Sequence, residues 1–82
     1  MKSVSYTRTA ARALRKHRDM APRVMAKVED YAANPASLAN VVTEIVGQDC
    51  HRLRVGDFRV LFRETATEVI VLDIGPRGGI YD

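Results

Sequence analysis

Arg52-Leu53-Arg54-Val55-Gly56-Asp57-Phe58-Arg59-Val60-Leu61-Phe62-Arg63 is the stretch whose reading decides the fold. Leu53 and Val55 alternate with Arg52 and Arg54, while Phe58, Val60 and Phe62 alternate with Arg59, Leu61 and Arg63. A period of two marks half-buried strands. Gly56-Asp57 between them is a two-residue hairpin turn, in which glycine takes a positive φ without steric cost. With those two residues in the loop, Val55 pairs with Phe58, Arg54 with Arg59, Leu53 with Val60 and Arg52 with Leu61. Alternation then puts Leu53, Val55, Phe58, Val60 and Phe62 on a covered face, and Arg52, Arg54, Arg59 and Arg63 on the opposite one. Arg54 directly across from Arg59 is a like-charge pair, which costs stability unless something negative sits nearby.

Toward the C-terminus, Glu64-Thr65-Ala66-Thr67-Glu68 reads as the next turn, and Val69-Ile70-Val71-Leu72-Asp73-Ile74 as a central strand buried on both sides. Gly75-Pro76-Arg77-Gly78-Gly79 breaks that strand before Ile80-Tyr81-Asp82. Toward the N-terminus, residues 36–50 read as an irregular segment or short turn followed by a strand. Val24, Val28 and Tyr31, at i, i+4 and i+7, form the apolar stripe of a helix opened by Ala21-Pro22 and stopped by Asn34-Pro35. An earlier helix starts near Thr7 or Thr9, either of which can cap it, and runs to about His17 or Asp19. Val4 and Tyr6 mark a short first strand. The expected architecture is α+β: a helical hairpin with an apolar seam, packed on one face of a three- or four-stranded antiparallel sheet.

Length and composition narrow the function classes. A chain of 82 residues has room for one domain, spanning residues 1–82, and a core of modest size that a protein partner could supplement. It contains no apolar run of the roughly 18–20 residues that a membrane span needs, and Met1–Tyr6 lacks the apolar region of a secretory signal. Cys50, the one cysteine, cannot form an internal disulfide or a thiolate metal site. These features fit a cytoplasmic protein without a membrane partner. Charge is divided unevenly: residues 1–27 carry eight cations against Asp19 alone, a net +7, and residues 28–82 carry five cations against nine acids, a net −4. Ten of the thirteen cations are arginine, whose planar fork matches phosphate and carboxylate, so polyanions or an acidic partner are the natural targets. A solvated face is the other reading of the Arg8, Arg12 and Arg15 stripe.

No standard catalytic constellation competes with the arginines. Cys50 and His51 are adjacent, so in a strand they point to opposite faces and make a poor nucleophile pair. No metal-ligand spacing is visible, and no cofactor is expected. The glycine-rich loop after Ile74 lacks a Walker pattern. An enzyme of this kind would lean on arginine, with Tyr81 as the remaining proton-transfer group.

Residues Arg52 to Phe62 resemble the central signature of RelE-type toxins, a basic residue followed by "LRVGDYRV" and an aromatic. Ile74-Gly75-Pro76-Arg77 with Ile80-Tyr81 resembles that group's closing "IGHR" and "VY" segment. The order of elements also matches, so the chain is identified as a member of the RelE/ParE toxin superfamily over essentially its whole length. The resemblance implies the toxin of a type II toxin–antitoxin system, an endoribonuclease that cleaves mRNA on the ribosome without a metal. It implies catalytic roles for Arg59, Arg77 and Tyr81, and RNA binding by Arg52, Arg54 and Arg63. The implied partners are a cognate antitoxin, the ribosome and mRNA, and, through the antitoxin complex, operator DNA. Cys50 stands where the nuclease form carries a cation, and Pro76 where it carries histidine or lysine. Two alternatives stay open: a ParE-like inhibitor of DNA gyrase, and a catalytically degenerate antitoxin-binding module.

Overall fold

Gly56 adopts a φ of +57°, a backbone region that residues with a Cβ avoid. The hairpin it allows has the register expected from alternation, Val55 opposite Phe58 and Arg54 opposite Arg59. The computed structural model describes residues 1–44 and 50–76. Ile45 and Val46, together with Arg77, Tyr81 and the rest of the C-terminal segment, lie outside the described residues. The elements are β1 (Ser3–Tyr6), α1 (Arg8–Lys16), α2 (Ala21–Ala33), a 3-10 segment (Pro35–Val41), β2 (Val42–Glu44), β3 (His51–Val55), β4 (Phe58–Glu64) and β5 (Glu68–Pro76).

Thr7 joins the first strand, the first helix and the sheet. Its N–H donates to Val71 O at 2.9 Å. Its hydroxyl donates to Leu72 O at 2.8 Å and accepts from Ala10 N at 3.2 Å. One side chain thereby caps α1 and anchors its start to β5. At the other end His17 N–H donates to Ala13 O, and Arg15 and Lys16 sit where the helix dipole favours cations. Pro22 occupies the first turn of α2, where its missing N–H leaves nothing unpaired.

The α+β class stands, with the helices on one face of the sheet. The sheet itself has five strands in the order β1-β5-β4-β3-β2, not three or four. The β1–β5 pair is parallel, with Val4 beside Val69 and Tyr6 beside Val71. The connection from β1 to β5 contains both helices and three antiparallel strands, long enough to bring its two ends side by side in parallel. The apolar seam lies chiefly between helices and sheet: α1 packs on β5, and α2 on the 3-10 segment, β1 and β3.

Phe62, Leu53, Val60, Val69 and Val71 are essentially inaccessible and meet Val24, Val28 and Tyr31 of α2 on the covered face. Burying a side chain of this size stabilises the fold by roughly 1.5–3 kcal/mol. Two expectations for the strand after residue 68 need correction. The run Val69–Ile74 is not buried on both sides, because Ile70 and Leu72 on the open face are only half-buried. Nor does Gly75 break the strand, since β5 continues to Pro76, opposite Phe58. The pairing also skips from Leu61–Asp73 to Phe62–Val71, so Leu72 is an extra, bulged residue. The bulge puts Leu72 beside Leu61 and Cys50 in a small apolar cluster of its own.

Candidate nucleic-acid interface

The turn end of the β3–β4 hairpin gathers cations. Arg54 and Arg59 are direct cross-strand partners, and Arg52 lies two residues back on the same face of β3. Opposed residues of this kind hold their Cβ atoms about 4.5–5.5 Å apart. Arg52 and Arg59 are half-buried and Arg54 is exposed. Arg59 Nη1 donates to Phe58 O at 3.3 Å, which turns the guanidinium toward the hairpin end. The three arginines line a pocket of about 110 Å³ with Asn40, Val41 and Thr43. That is roughly the liquid volume of three or four waters, enough for a phosphate-sized anion. Guanidinium forks beside an amide and a hydroxyl are suited to hold such an oxyanion by charge-assisted hydrogen bonds.

The sequence-derived site is therefore partly assembled. Arg52, Arg54 and Arg59 come together. Arg63 does not join them: it shares their face but lies four residues along β4 from Arg59, about 13 Å at strand rise, with Leu61 and its apolar neighbours between. Arg77 and Tyr81 fall outside the described residues. Asn40 and Thr43 were missed by the sequence reading. Thr43 reaches the pocket because β2 pairs it with Arg52. No local signal marked them, since Glu44 interrupts the apolar run from Leu38 to Val46 just as they do.

Other titratable groups have structural partners. Glu64 accepts from Lys2 Nζ and from Tyr31 OH, each at 2.6 Å. Burial pushes its pKa up, but the hydrogen bonds from Lys2 and Tyr31 and the nearby positive charge outweigh that, so the net shift is downward. Burial, then the Glu64 hydrogen bond and charge, raise the Tyr31 phenol. Cys50 and His51 point to opposite faces as expected: Cys50 packs with Leu61 and Leu72, and the His51 ring stacks on Phe62 at 5.3 Å. Among the described residues, no group of three metal-ligating side chains gathers, and no helix is long and apolar enough to cross a membrane.

A helix-backed mixed sheet with an arginine pocket on its open face places the chain among small α+β proteins. Residues 4–81 match the family model described as the ParE toxin of type II toxin–antitoxin system, parDE; the chain belongs to that family, a toxin of the RelE/ParE superfamily. Solved structures agree. A chain of the RelBE2 toxin–antitoxin complex from Mycobacterium tuberculosis is 27% identical, with a TM-score of 0.65 over 93% of this chain and 98% of that one. A chain of the archaeal RelE–RelB complex from Pyrococcus horikoshii OT3 shares the fold at 21% identity, with a TM-score of 0.74 over 95% of this chain and 97% of that one. YafQ from E. coli strain BL21(DE3) shares it at 9% identity, with a TM-score of 0.77 over the full length of both chains. No curated protein sequence matches.

Proposed function

We propose that this toxin is a ribosome-dependent mRNA endoribonuclease acting in the cytoplasm without a metal. The observation that carries the reading is the pocket in which Arg52, Arg54 and Arg59 converge with Asn40 and Thr43. In the reaction, the ribose 2′-OH attacks the adjacent phosphorus, its proton is removed, and the 5′-oxygen leaves. Arg59 stabilises the charge that develops on the phosphoryl oxygens. Arg77 contacts the phosphate and assists the leaving oxygen, and Tyr81 stands near the 2′-OH as base or orienting group; these two roles rest on the family resemblance alone. Arg52 and Arg54 hold the RNA backbone, and Arg63 extends that contact along β4.

The partner is a cognate antitoxin, as in the similar complexes, and the pair would meet operator DNA together. An apolar groove of about 720 Å³ between α1 and α2, lined by Leu14, Ala21, Pro22 and Met25 with Arg15 and Arg18, suits an acidic amphipathic segment. The antitoxin would neutralise by covering or distorting the arginine pocket.

A ParE-like inhibitor of DNA gyrase is the second reading, favoured by the description of the matching family. Primer extension on reporter mRNA, after brief induction of the wild type and of Arg59→Ala, separates the two. In-frame, translation-dependent cuts are expected from the wild type, reduced about 10²–10³-fold in the variant. Growth arrest with intact mRNA would transfer the case to gyrase, and no arrest would favour an inactive binding module.

A further inference from the structure

The arginine pocket has polar walls of two chemical kinds. Arg52, Arg54 and Arg59 form one, and Asn40 and Thr43 the other. A guanidinium donates hydrogen bonds and accepts none. A phosphodiester accepts and has nothing to donate, so arginines and phosphate satisfy each other completely. Asn40 Oδ1 and Thr43 Oγ1 are acceptors, which an anion cannot use. Among the described residues that line the pocket they are the only side-chain acceptors, and they call for a part of the ligand that donates. Neither side chain is spent on the fold. Both residues are exposed, and no hydrogen bond within the described residues engages either side chain. Ser37, in the same 3-10 segment as Asn40, differs: its hydroxyl donates to Asn34 O at 2.8 Å. Asn40 is nevertheless held in place, because Leu38 and Val41 on either side of it pack on the core. An uncommitted amide on a fixed backbone is preorganised for a ligand.

We infer that Asn40 is a specificity-determining residue, whose amide reads the hydrogen-bonding edge of the nucleobase beside the phosphate that the arginines hold. The inference deepens, and rests on, the reading that this pocket cuts RNA. Neighbouring strands lie about 4.7–4.9 Å apart. Thr43 is paired with Arg52 across one such spacing, and β4 with Arg59 is one strand further. A phosphate held over β3 and β4 leaves its nucleoside beside the Asn40 wall. On the far side Arg59 is paired with Gly75, which offers no side chain to a base. Of the two polar residues Asn40 is the reader. Its amide presents a donor and an acceptor side by side, the pattern that pairs bidentately with a base edge such as that of adenine. The single hydroxyl of Thr43 distinguishes no edge. Phosphate contacts position a strand and base contacts specify it, so the arginines hold the RNA and Asn40 selects among sites.

The test is sequencing of mRNA 5′ ends after brief induction of the full-length wild type, Asn40→Ala, Asn40→Gln, Asn40→Asp and Arg59→Ala, with cuts sorted by the bases that flank them. The quantity read is the ratio of cutting at the most and least preferred base, not total cleavage. Cuts that persist in Arg59→Ala are subtracted as background. Asn40→Ala should lower the ratio about 5-fold or more, the lower end of what one bidentate base contact contributes. Asn40→Gln, which keeps the amide, should retain the wild-type preference. Asn40→Asp, which exchanges the donor for a second acceptor, should move the preference toward cytosine, and it carries the test if Asn40→Ala fails to fold. All variants meet the same ribosomes, so a change in the ratio belongs to residue 40. An unchanged ratio would overturn the inference, as would an equal fall at every site, which would make Asn40 one more phosphate contact. Intact mRNA from the wild type would overturn the nuclease reading and this assignment with it. In-frame cuts with an unchanged ratio would overturn the assignment alone.

Discussion

The two faces of the sheet are built from the same strands and do opposite work. On the helix-covered face Leu53, Val60 and Phe62 are almost fully buried against α2. On the open face the residues between them are Arg52, Arg54, Arg59 and Leu61, and the first three line a pocket. The covered face gains from every apolar atom taken from water. The open face holds Arg54 against Arg59, an arrangement that local stability disfavours and anion binding rewards. The difference teaches that stability and function can be assigned to alternate residues of one strand.

Substitutions can break this division, and the largest effect is expected on the covered face. Phe62→Ala should lower unfolding free energy by about 3–5 kcal/mol in urea titration, since it opens a cavity against α2. A loss below about 1 kcal/mol would show that this face is not the one that holds the domain together. A smaller effect belongs to Glu64 at the far end of β4, where Lys2 and Tyr31 converge. Its folded pKa lies below the usual 4.5. Its stabilisation is therefore complete above that value and is lost as pH falls through the folded pKa. Glu64→Gln should flatten the acid limb of a stability–pH curve measured by circular dichroism; an unchanged limb would remove Glu64 from acid stability. The smallest effect, and the one of opposite sign, is expected on the open face. Arg54→Thr should raise stability by about 0.2–1 kcal/mol, toward the low end because the side chain is exposed, while weakening RNA binding. A destabilised Arg54→Thr would mean that the pair is structural.

Much of the site was legible because it depends on short-range rules. The facing of Arg54 and Arg59 follows from Gly56-Asp57 and a period of two, and needs no knowledge of the remaining chain. Leu61 shows the limit of that reasoning. By alternation it belongs among the arginines, yet it is 7% exposed, because the bulge in β5 brings Leu72 and the chain brings Cys50 to cover it. Asn40 and Thr43 were not legible as pocket walls, since the 3-10 segment and the three-residue β2 have too few residues to declare a period.

By itself the sequence determined the hairpin register, the helix boundaries near Thr7, Ala21 and Asn34, the covered apolar stripe and the shared face of the four sheet arginines. Each is set by residues within a few positions of one another, through alternation, capping and turn chemistry. Tertiary structure alone decided that β1 runs parallel to β5, that Leu72 bulges and that Thr43 stands beside Arg52. These depend on which distant segments meet, and a meeting between residues 3–6 and 68–71 is selected by the packing of the whole chain, for which no local pattern carries a signal.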